Sequence, residues 1–275
     1  MKIIITGASS YVGASIYFQL KKKYPVVGTY NSHKLFPELH HLDITKEQEV
    51  NDFIVRERPN VIVHAAANAS GSWCEQHPEM ARTINQQGTM NIVNSANLVN
   101  SQVLLISSFA AADPRSVYGR TKLESEEAVK ETKAGYVIVR PSLILGLSPN
   151  TANDRPFNRL LRNITDKTPP AYDSSWKFQP TWLHHLENVV EEIIERGIVN
   201  ETIPVSLLEV KTRYDLARDI LSEFDIDAIP EDKHDTSYAV SEDLSKLREL
   251  GLPIYTYSQM RSGIIKEIKT YLDRV

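Results

Sequence analysis

The sequence predicts an α/β fold in which a parallel sheet is doubly wound by helices and carries a small lobe. Three observations predict it. Short apolar runs alternate with amphipathic helical segments along the chain. Runs such as VIVHAA (61–66) and VLLIS (103–107) are apolar on both faces, as strands buried beneath two helical layers are. The opening run KIIIT (2–6) breaks into GASSYVG (7–13) and then into a helical pattern. Strand, small-residue turn and helix in that order is how a dinucleotide's diphosphate is held by backbone N–H groups at a helix N-terminus. The expected architecture is therefore of the Rossmann type, although Ser10 stands at the middle glycine position of the turn.

The elements follow in order. Strands are expected at 2–6, 25–30, 60–65, 102–107, 136–141 and about 202–207, each a short apolar run bounded by turn residues. Helices fit 12–23, 46–57, 78–98, 118–132, 186–196 and 212–223. The basic run Lys21–Lys23 falls at the end of the first helix, where cations favour the helix dipole. The helix at 78–98, opened by HPEMARTIN, is long and amphipathic as a crossover helix should be. After Gly146 the texture changes: 147–181 is rich in Pro, Asn and Asp with one short helix near 156–164, and 225–240 and 251–258 are similarly irregular. The division expected is a dinucleotide-binding body at 1–146 with return segments at about 182–224. Residues 147–181 plus about 225–275 would form a small substrate-binding lobe at the carboxyl ends of the strands.

Composition narrows the function classes. With 275 residues and 41% hydrophobic content the chain can bury one large core or two joined lobes. A net charge of −4 argues against a nucleic-acid-binding field. The single cysteine, Cys74, excludes an intrachain disulfide and suits a reducing compartment. No leader precedes the first strand and no apolar run reaches ~18 residues, so neither export nor a membrane span is expected, and the cytoplasm is the expected location.

The chemistry is carried by Ser107-Ser108, which end a strand, and by Tyr118 and Lys122, which open the next helix one turn apart on the same face. An unperturbed phenol titrates near ~10, too high for efficient proton transfer at neutrality; an ammonium beside it lowers that value. A serine hydroxyl can then steady the oxygen on which charge develops. The same Tyr/Lys spacing occurs at Tyr17/Lys21 and Tyr30/Lys34, but neither pair has a strand-ending serine ahead of it. The histidine pairs His40-His41 and His184-His185 match no zinc signature, so no metal is expected, and His64 reads as a core residue.

In this order, TGASSYVG, HLDIT, PNVIVHAAANAS, CEQHPEMARTIN, LLISS, YGRTKLESEEAV, VIVRPSLILG, QPTWLHHLENVV, TRYDLA and YAVSEDLSKLRELGL resemble the extended short-chain dehydrogenase/reductases from end to end. Among these the chain is most similar to the dTDP-4-dehydrorhamnose reductase family. The resemblance implies that Gly7, Ser9, Ser10, Tyr11 and Val12 contact the diphosphate, that Asp43 and Ile44 flank the adenine, and that Ala65, Ala66 and Ala67 pack beside the nicotinamide ribose. It implies further cofactor contacts at Ser107, Arg140 and Pro141. Ser108, Tyr118 and Lys122 would be the catalytic trio, with Lys122 also holding the ribose hydroxyls. Asn68 and Ser108 would meet the substrate. Many relatives pair through the helices at 78–98 and 118–132, so a homodimer is expected.

The second strand runs into Asn31-Ser32-His33-Lys34 without the acidic residue that would bind a free ribose 2′-hydroxyl. These donors suit a 2′-phosphate, which favours NADP(H) over NAD(H); an ordinary polar loop would leave the preference open. In the lobe, Arg155, Asn158, Arg159 and Arg162 with Trp176 suit a nucleotide diphosphate carrying a sugar, or else form a solvated helix face beside aromatic core residues. Only FAAADPRSV separates Ser108 from Tyr118, shorter than in the rhamnose-type reductases, yet ten residues span up to ~33 Å and the two can still converge. The expected function is an NADP(H)-dependent reductase acting on the carbonyl of a small molecule, a nucleotide-linked sugar. The alternatives are a non-catalytic NADP(H)-binding regulatory or structural protein, or an epimerase or dehydratase on the same scaffold.

Overall fold

The computed structural model describes residues 1–239 and 244–274. Residues 240–243 of the YAVSEDLSKLRELGL segment, and residue 275, lie outside them. The chain forms two compact units, one of residues 1–141 and 189–203, the other of 142–188 and 204–275. The sequence division joins 142–146, 182–188 and 204–224 to the first body, whereas in the fold they group with the second. The reason is pairing too short to leave a pattern: Ile144–Leu145 lies parallel to Thr181–Trp182, and Lys211–Thr212 antiparallel to Lys177–Phe178.

In the first unit, β1 (Ile3–Thr6), β2 (Val26–Tyr30), β3 (His40–His41), β4 (Val61–His64), β5 (Gln102–Ile106) and β6 (Tyr136–Pro141) join the strand Glu201–Val205 in one seven-stranded parallel sheet. Its order is Glu201–Val205, β6, β5, β4, β1, β2, β3. The chain builds outward from β1 in one direction and from β4 in the other, so the topological switch point lies beyond the carboxyl ends of these two neighbours, where ligands bind in open α/β sheets. The six strands expected from the sequence are all present. β3 was not among them, because two exposed histidines carry no periodicity.

This unit contains the helices α1 (Tyr11–Leu20), α2 (Glu47–Glu57), α3 (Gly71–Gln76), α4 (Pro78–Arg82), α5 (Gly88–Val99) and α6 (Val117–Val129), and most of the helix Leu183–Arg196. The long helix expected at 78–98 contains a π-helical turn, Thr83–Gln87, between α4 and α5. Lys21–Lys23 follow α1 in water: Lys21 pairs with Glu38 at 2.9 Å and Lys23 with Glu195 at 3.2 Å. The core on one face of the sheet joins Ile4, Ile62, Val103, Leu105 and Ile138 to Val50, Phe53 and Ile54 of α2 and Ile92, Val93 and Ala96 of α5.

His64 ends β4 inside this core. Its Nδ1 lies 2.7 Å from Thr6 Oγ1 and its Nε2 3.0 Å from Thr89 Oγ1, so both ring nitrogens have hydroxyl partners. Burial, and then the Lys122 charge, push its pKa down to about 3. In the unfolded chain the ring takes a proton near pH 6.5, and in the fold only near 3. Stability is therefore complete above pH 6.5 and falls as the pH drops from there toward 3. Urea unfolding between pH 7 and 4 should show this decline, and a His64→Gln variant should flatten it.

The second unit holds the helices Pro156–Asp166, Arg213–Leu221 and Tyr257–Leu272 with small two- and three-stranded sheets. Tyr257–Leu272 is not among the elements read from the sequence, though Thr256 and Gln259 form a reciprocal capping box at its start. Met260, Ile264 and Ile268 are its buried stripe. Among the described residues no helix is long and apolar enough to cross a membrane.

Candidate active site

The turn after β1 is built on close backbone approach. Gly7 has φ +71°, and a Cβ there would lie 2.8 Å from Ala66 Cα and 2.9 Å from Ala66 N, so only glycine lets the ends of β1 and β4 touch. Gly13 faces Gly7 O and the Ser10 hydroxyl with no room for a side chain. Ser10, at the middle glycine position, is the N-cap of α1: its oxygen accepts the Gly13 N–H at 3.0 Å. The first turn of α1 contains no acidic residue, so the positive end of this ten-residue helix is unopposed. A cradle that a single Cβ would fill, at the positive end of a helix, fits a dinucleotide diphosphate.

Beyond β2, Asn31, Ser32 and His33 are exposed, and His33 Nδ1 lies 3.0 Å from Ser32 Oγ. The Asp43 carboxylate accepts the Thr45 N–H at 3.0 Å and its hydroxyl at 2.7 Å, folding a local turn. Ile44 is buried, and its carbonyl accepts from Asn91 Nδ2 at 2.9 Å. Ala65, Ala66 and Ala67 are half-buried past the end of β4. Asn68, next in line, is pinned through its backbone: its N–H donates to Asn85 Oδ1 at 2.8 Å and its carbonyl accepts from Asn85 Nδ2 at 3.1 Å.

Asn85 is a residue that sequence reasoning missed. It sits in the π-helical turn, is buried, and also donates to Thr121 Oγ1 of α6 at 3.0 Å. Its carbonyl accepts from the Ser125 and Thr89 hydroxyls at 2.8 and 2.5 Å. One side chain thus ties the loop after β4 to α6. The one trace in the sequence is an asparagine inside an amphipathic helix, and π-turns gather at functional sites.

Ser107 and Ser108 follow β5. The Ser108 oxygen accepts the Ala110 N–H at 3.2 Å, capping the 3₁₀ turn Phe109–Ala111, and that bond does not use the hydroxyl proton. The short connection to α6 is compact because Gly119 packs directly on the Ala110 carbonyl and Pro114. Ser116 caps α6 by accepting the Gly119 N–H at 3.0 Å, which fixes the first turn and with it the half-buried Tyr118. One turn on, Lys122 is 2% exposed and donates to Ile106 O at 2.9 Å. Burial pushes its pKa down to about 8, against the raising influence of Glu126. The other two Tyr/Lys pairs differ in kind. Lys21 lies over the Tyr17 ring at 5.1 Å and Lys34 over Tyr30 at 5.9 Å, cation–π contacts of exposed ammonium groups.

Ser107 and Arg140, expected from the resemblance to touch cofactor, meet at Glu126. Ser107 Oγ donates to Glu126 Oε1 at 2.5 Å, and Arg140 grips Glu126 with Nε at 2.9 Å and Nη2 at 2.5 Å. Pro141 ends β6 and is buried.

In the second unit, Asn158 is buried and donates to the Asn150 and Asn153 carbonyls at 3.0 and 3.1 Å, whereas Arg162 is exposed and pairs with Asp154 at 2.8 Å. Trp176 stacks on Phe178, with ring centroids 4.6 Å apart, and the Arg213 guanidinium lies 5.1 Å from the Trp176 centroid. His184 Nδ1 lies 3.4 Å from Glu187 and His185 Nε2 2.8 Å from the Pro253 carbonyl, and both rings pack against Tyr255.

Residues 1–246 match the protein family described as the RmlD substrate binding domain. Among curated proteins, methionine adenosyltransferase 2 subunit beta of Bos taurus is 23% identical over 82% of this chain and 72% of its own length. dTDP-4-dehydrorhamnose reductase of Mycolicibacterium smegmatis is 26% identical over 79% and 67%. Among solved structures, dTDP-4-dehydrorhamnose reductase of Bacillus anthracis, in complex with NADP, superposes with a TM-score of 0.82 at 21% identity, covering 98% of each chain. With its glycine-cradled turn, its switch point between β1 and β4, and a match that spans nine-tenths of its length, this chain belongs to the RmlD substrate binding domain family, on the extended short-chain dehydrogenase/reductase scaffold of NAD(P)-dependent oxidoreductases.

Proposed function

We propose that this protein is an NADP(H)-dependent reductase of a carbonyl carried by a nucleotide-linked sugar, acting through Ser108, Tyr118 and Lys122. The observation that carries this reading is Lys122: a lysine buried to 2% exposure, one helical turn from Tyr118, on the helix that follows the strand ending in Ser107-Ser108. Taking an ammonium out of water is unfavourable, and Tyr17/Lys21, whose lysine is exposed, shows how readily the same spacing leaves it hydrated. When bound, the nicotinamide supplies the hydride for the carbonyl carbon. Tyr118 gives its phenolic proton to the carbonyl oxygen, and Ser108 donates a hydrogen bond to that oxygen as charge develops. Lys122 stabilises the phenolate left behind and so keeps the phenol acidic. The turn Gly7–Val12 holds the diphosphate, while Asn31, Ser32 and His33, with no acidic residue among them, accommodate a 2′-phosphate. Trp176 and the Arg213 guanidinium beside it would serve the nucleotide part of the substrate.

A second reading has one observation in its favour. The relative from Bos taurus is named as a subunit of methionine adenosyltransferase, which fits a protein that binds NADP(H) in order to serve a partner. Calorimetric titration with NADPH and NADH, followed by absorbance assays with NADPH and a panel of nucleotide-linked keto sugars, separates the two. The reductase reading expects NADPH to bind about tenfold tighter than NADH, with NADPH consumed by at least one keto sugar. Tight binding with no consumption across the panel supports the partner-serving subunit instead.

A further inference from the structure

Lys122 does not stand alone in the interior. One turn beyond it on α6, Glu126 is 1% exposed, an extreme position for a carboxylate. Three bonds hold it: the Ser107 hydroxyl from the end of β5, and the Arg140 Nε and Nη2 from β6. A helix and two adjacent strands thus converge on one carboxylate directly after the serine pair. The neighbouring acids of the same helix are ordinary by comparison: Glu127 is exposed and pairs with Lys130, and Glu124 reaches Arg82 at the surface. A buried carboxylate fixed by a hydroxyl and a two-toothed guanidinium cannot turn away, so its charge stays where the fold puts it, at the i+4 position from Lys122.

We propose that Glu126, clamped by Ser107 and Arg140, is a positioning residue that keeps Lys122 charged for its work on the Tyr118 phenol. This rests on the reductase reading of the site and deepens it. Tyr118 precedes Lys122 on the same helix; His64 of β4 feels the lysine charge and stays neutral above about pH 3. Arg140 of β6 reaches the lysine through the carboxylate it grips, and Glu126 is the acid that raises the proton affinity of Lys122 against burial. Ser107 and Arg140 therefore serve the catalytic lysine indirectly.

The two charged partners should act on Lys122 in opposite directions, which a merely structural role would not produce. Glu126→Gln removes the negative charge and leaves Arg140 uncompensated, so the Lys122 titration should move down by about one pH unit. Arg140→Met leaves Glu126 unopposed, so it should move up. Glu126→Asp keeps the charge and should restore the wild-type value in large part. Titration of ¹³C-labelled lysine by NMR, with Lys122 assigned by the signal lost in Lys122→Arg, reads this in the protein without any substrate. The alkaline limb of kcat/KM should shift in the same directions. Should Glu126→Gln fail to fold, Arg140→Met and Glu126→Asp still carry the test. A Lys122 titration that is unmoved in both charge variants, or moved the same way in both, overturns the proposal. Absence of turnover in the wild-type protein would instead sink the reductase reading while the NMR titration still decided the role of Glu126.

Discussion

Replacing Tyr118 by Phe should lower kcat/KM by about 10³ while leaving NADPH affinity within about twofold, because positioned proton transfer contributes 10²–10⁴ and the ring itself is retained. The substitution removes one oxygen from a half-buried side chain in the first turn of α6. That turn is secured by the Ser116 cap and by the packing of Gly119 on the Ala110 carbonyl, neither of which involves the phenol oxygen. Thermal midpoints of the two proteins should therefore differ by no more than a few degrees, and the loss should lie in kcat. Steady-state kinetics with a consumed keto sugar, paired with calorimetric titration of NADPH, checks both halves. Equal activity of Tyr118→Phe and wild type would remove the phenol from the reaction.

Lys122→Met should be as damaging to turnover, yet it should not destabilise the protein at pH 7. Lys122 is 2% exposed, and burial pushes its pKa from 10.5 down to about 8. Below pH 8 the folded protein must hold a proton on a buried amine, which costs on the order of 3 kcal/mol relative to the unfolded chain. Between about 8 and 10.5 the unfolded state binds more protons than the folded one at this site, so stability rises with pH across that window. Methionine has nearly the same length and no charge to desolvate; it forfeits the bond to Ile106 O and the attraction of Glu126. The thermal midpoint at pH 7 should therefore stay level or rise, and the increase in stability between pH 8 and 10.5 should shrink. A variant that lost activity because it unfolded would show the reverse, a lowered midpoint with the pH dependence unchanged. A lysine buried at this cost is the physical observation on which the proposed site rests.

Much of the fold could be read from the sequence because its strands are saturated with apolar residues. Ile3, Ile4 and Ile5, or Val61, Ile62 and Val63, are buried on both faces and leave no other reading. The two-residue strand His40–His41 and the short pairings of the second unit leave no such mark, since two residues have no period. Helix Tyr257–Leu272 is legible only through its capping box and a thin stripe of Met260, Ile264 and Ile268.

At the site, the sequence context sets Tyr118 and Lys122 apart from Tyr17/Lys21 and Tyr30/Lys34, and the structure adds that Lys122 is buried where Lys21 and Lys34 are exposed. What stayed hidden was the tertiary use of polar side chains. Nothing in LESEEAV distinguishes buried Glu126 from exposed Glu127, and nothing in the local sequence pairs Ser107 and Arg140 with it; the three meet only once β5, β6 and α6 are packed. Asn85 is hidden for the same reason, its value lying in contacts to Asn68 and Thr121 that are remote in sequence.

The most direct measurement is the fate of a deuterium label. NADPH carrying deuterium at the transferable position is incubated with the protein and the panel of nucleotide-linked keto sugars, and the products are read by mass spectrometry and NMR. The account predicts label on the former carbonyl carbon of at least one sugar with the wild-type protein, and its near absence with Tyr118→Phe. Saturating NADPH binding with no labelled sugar from any member of the panel would contradict it.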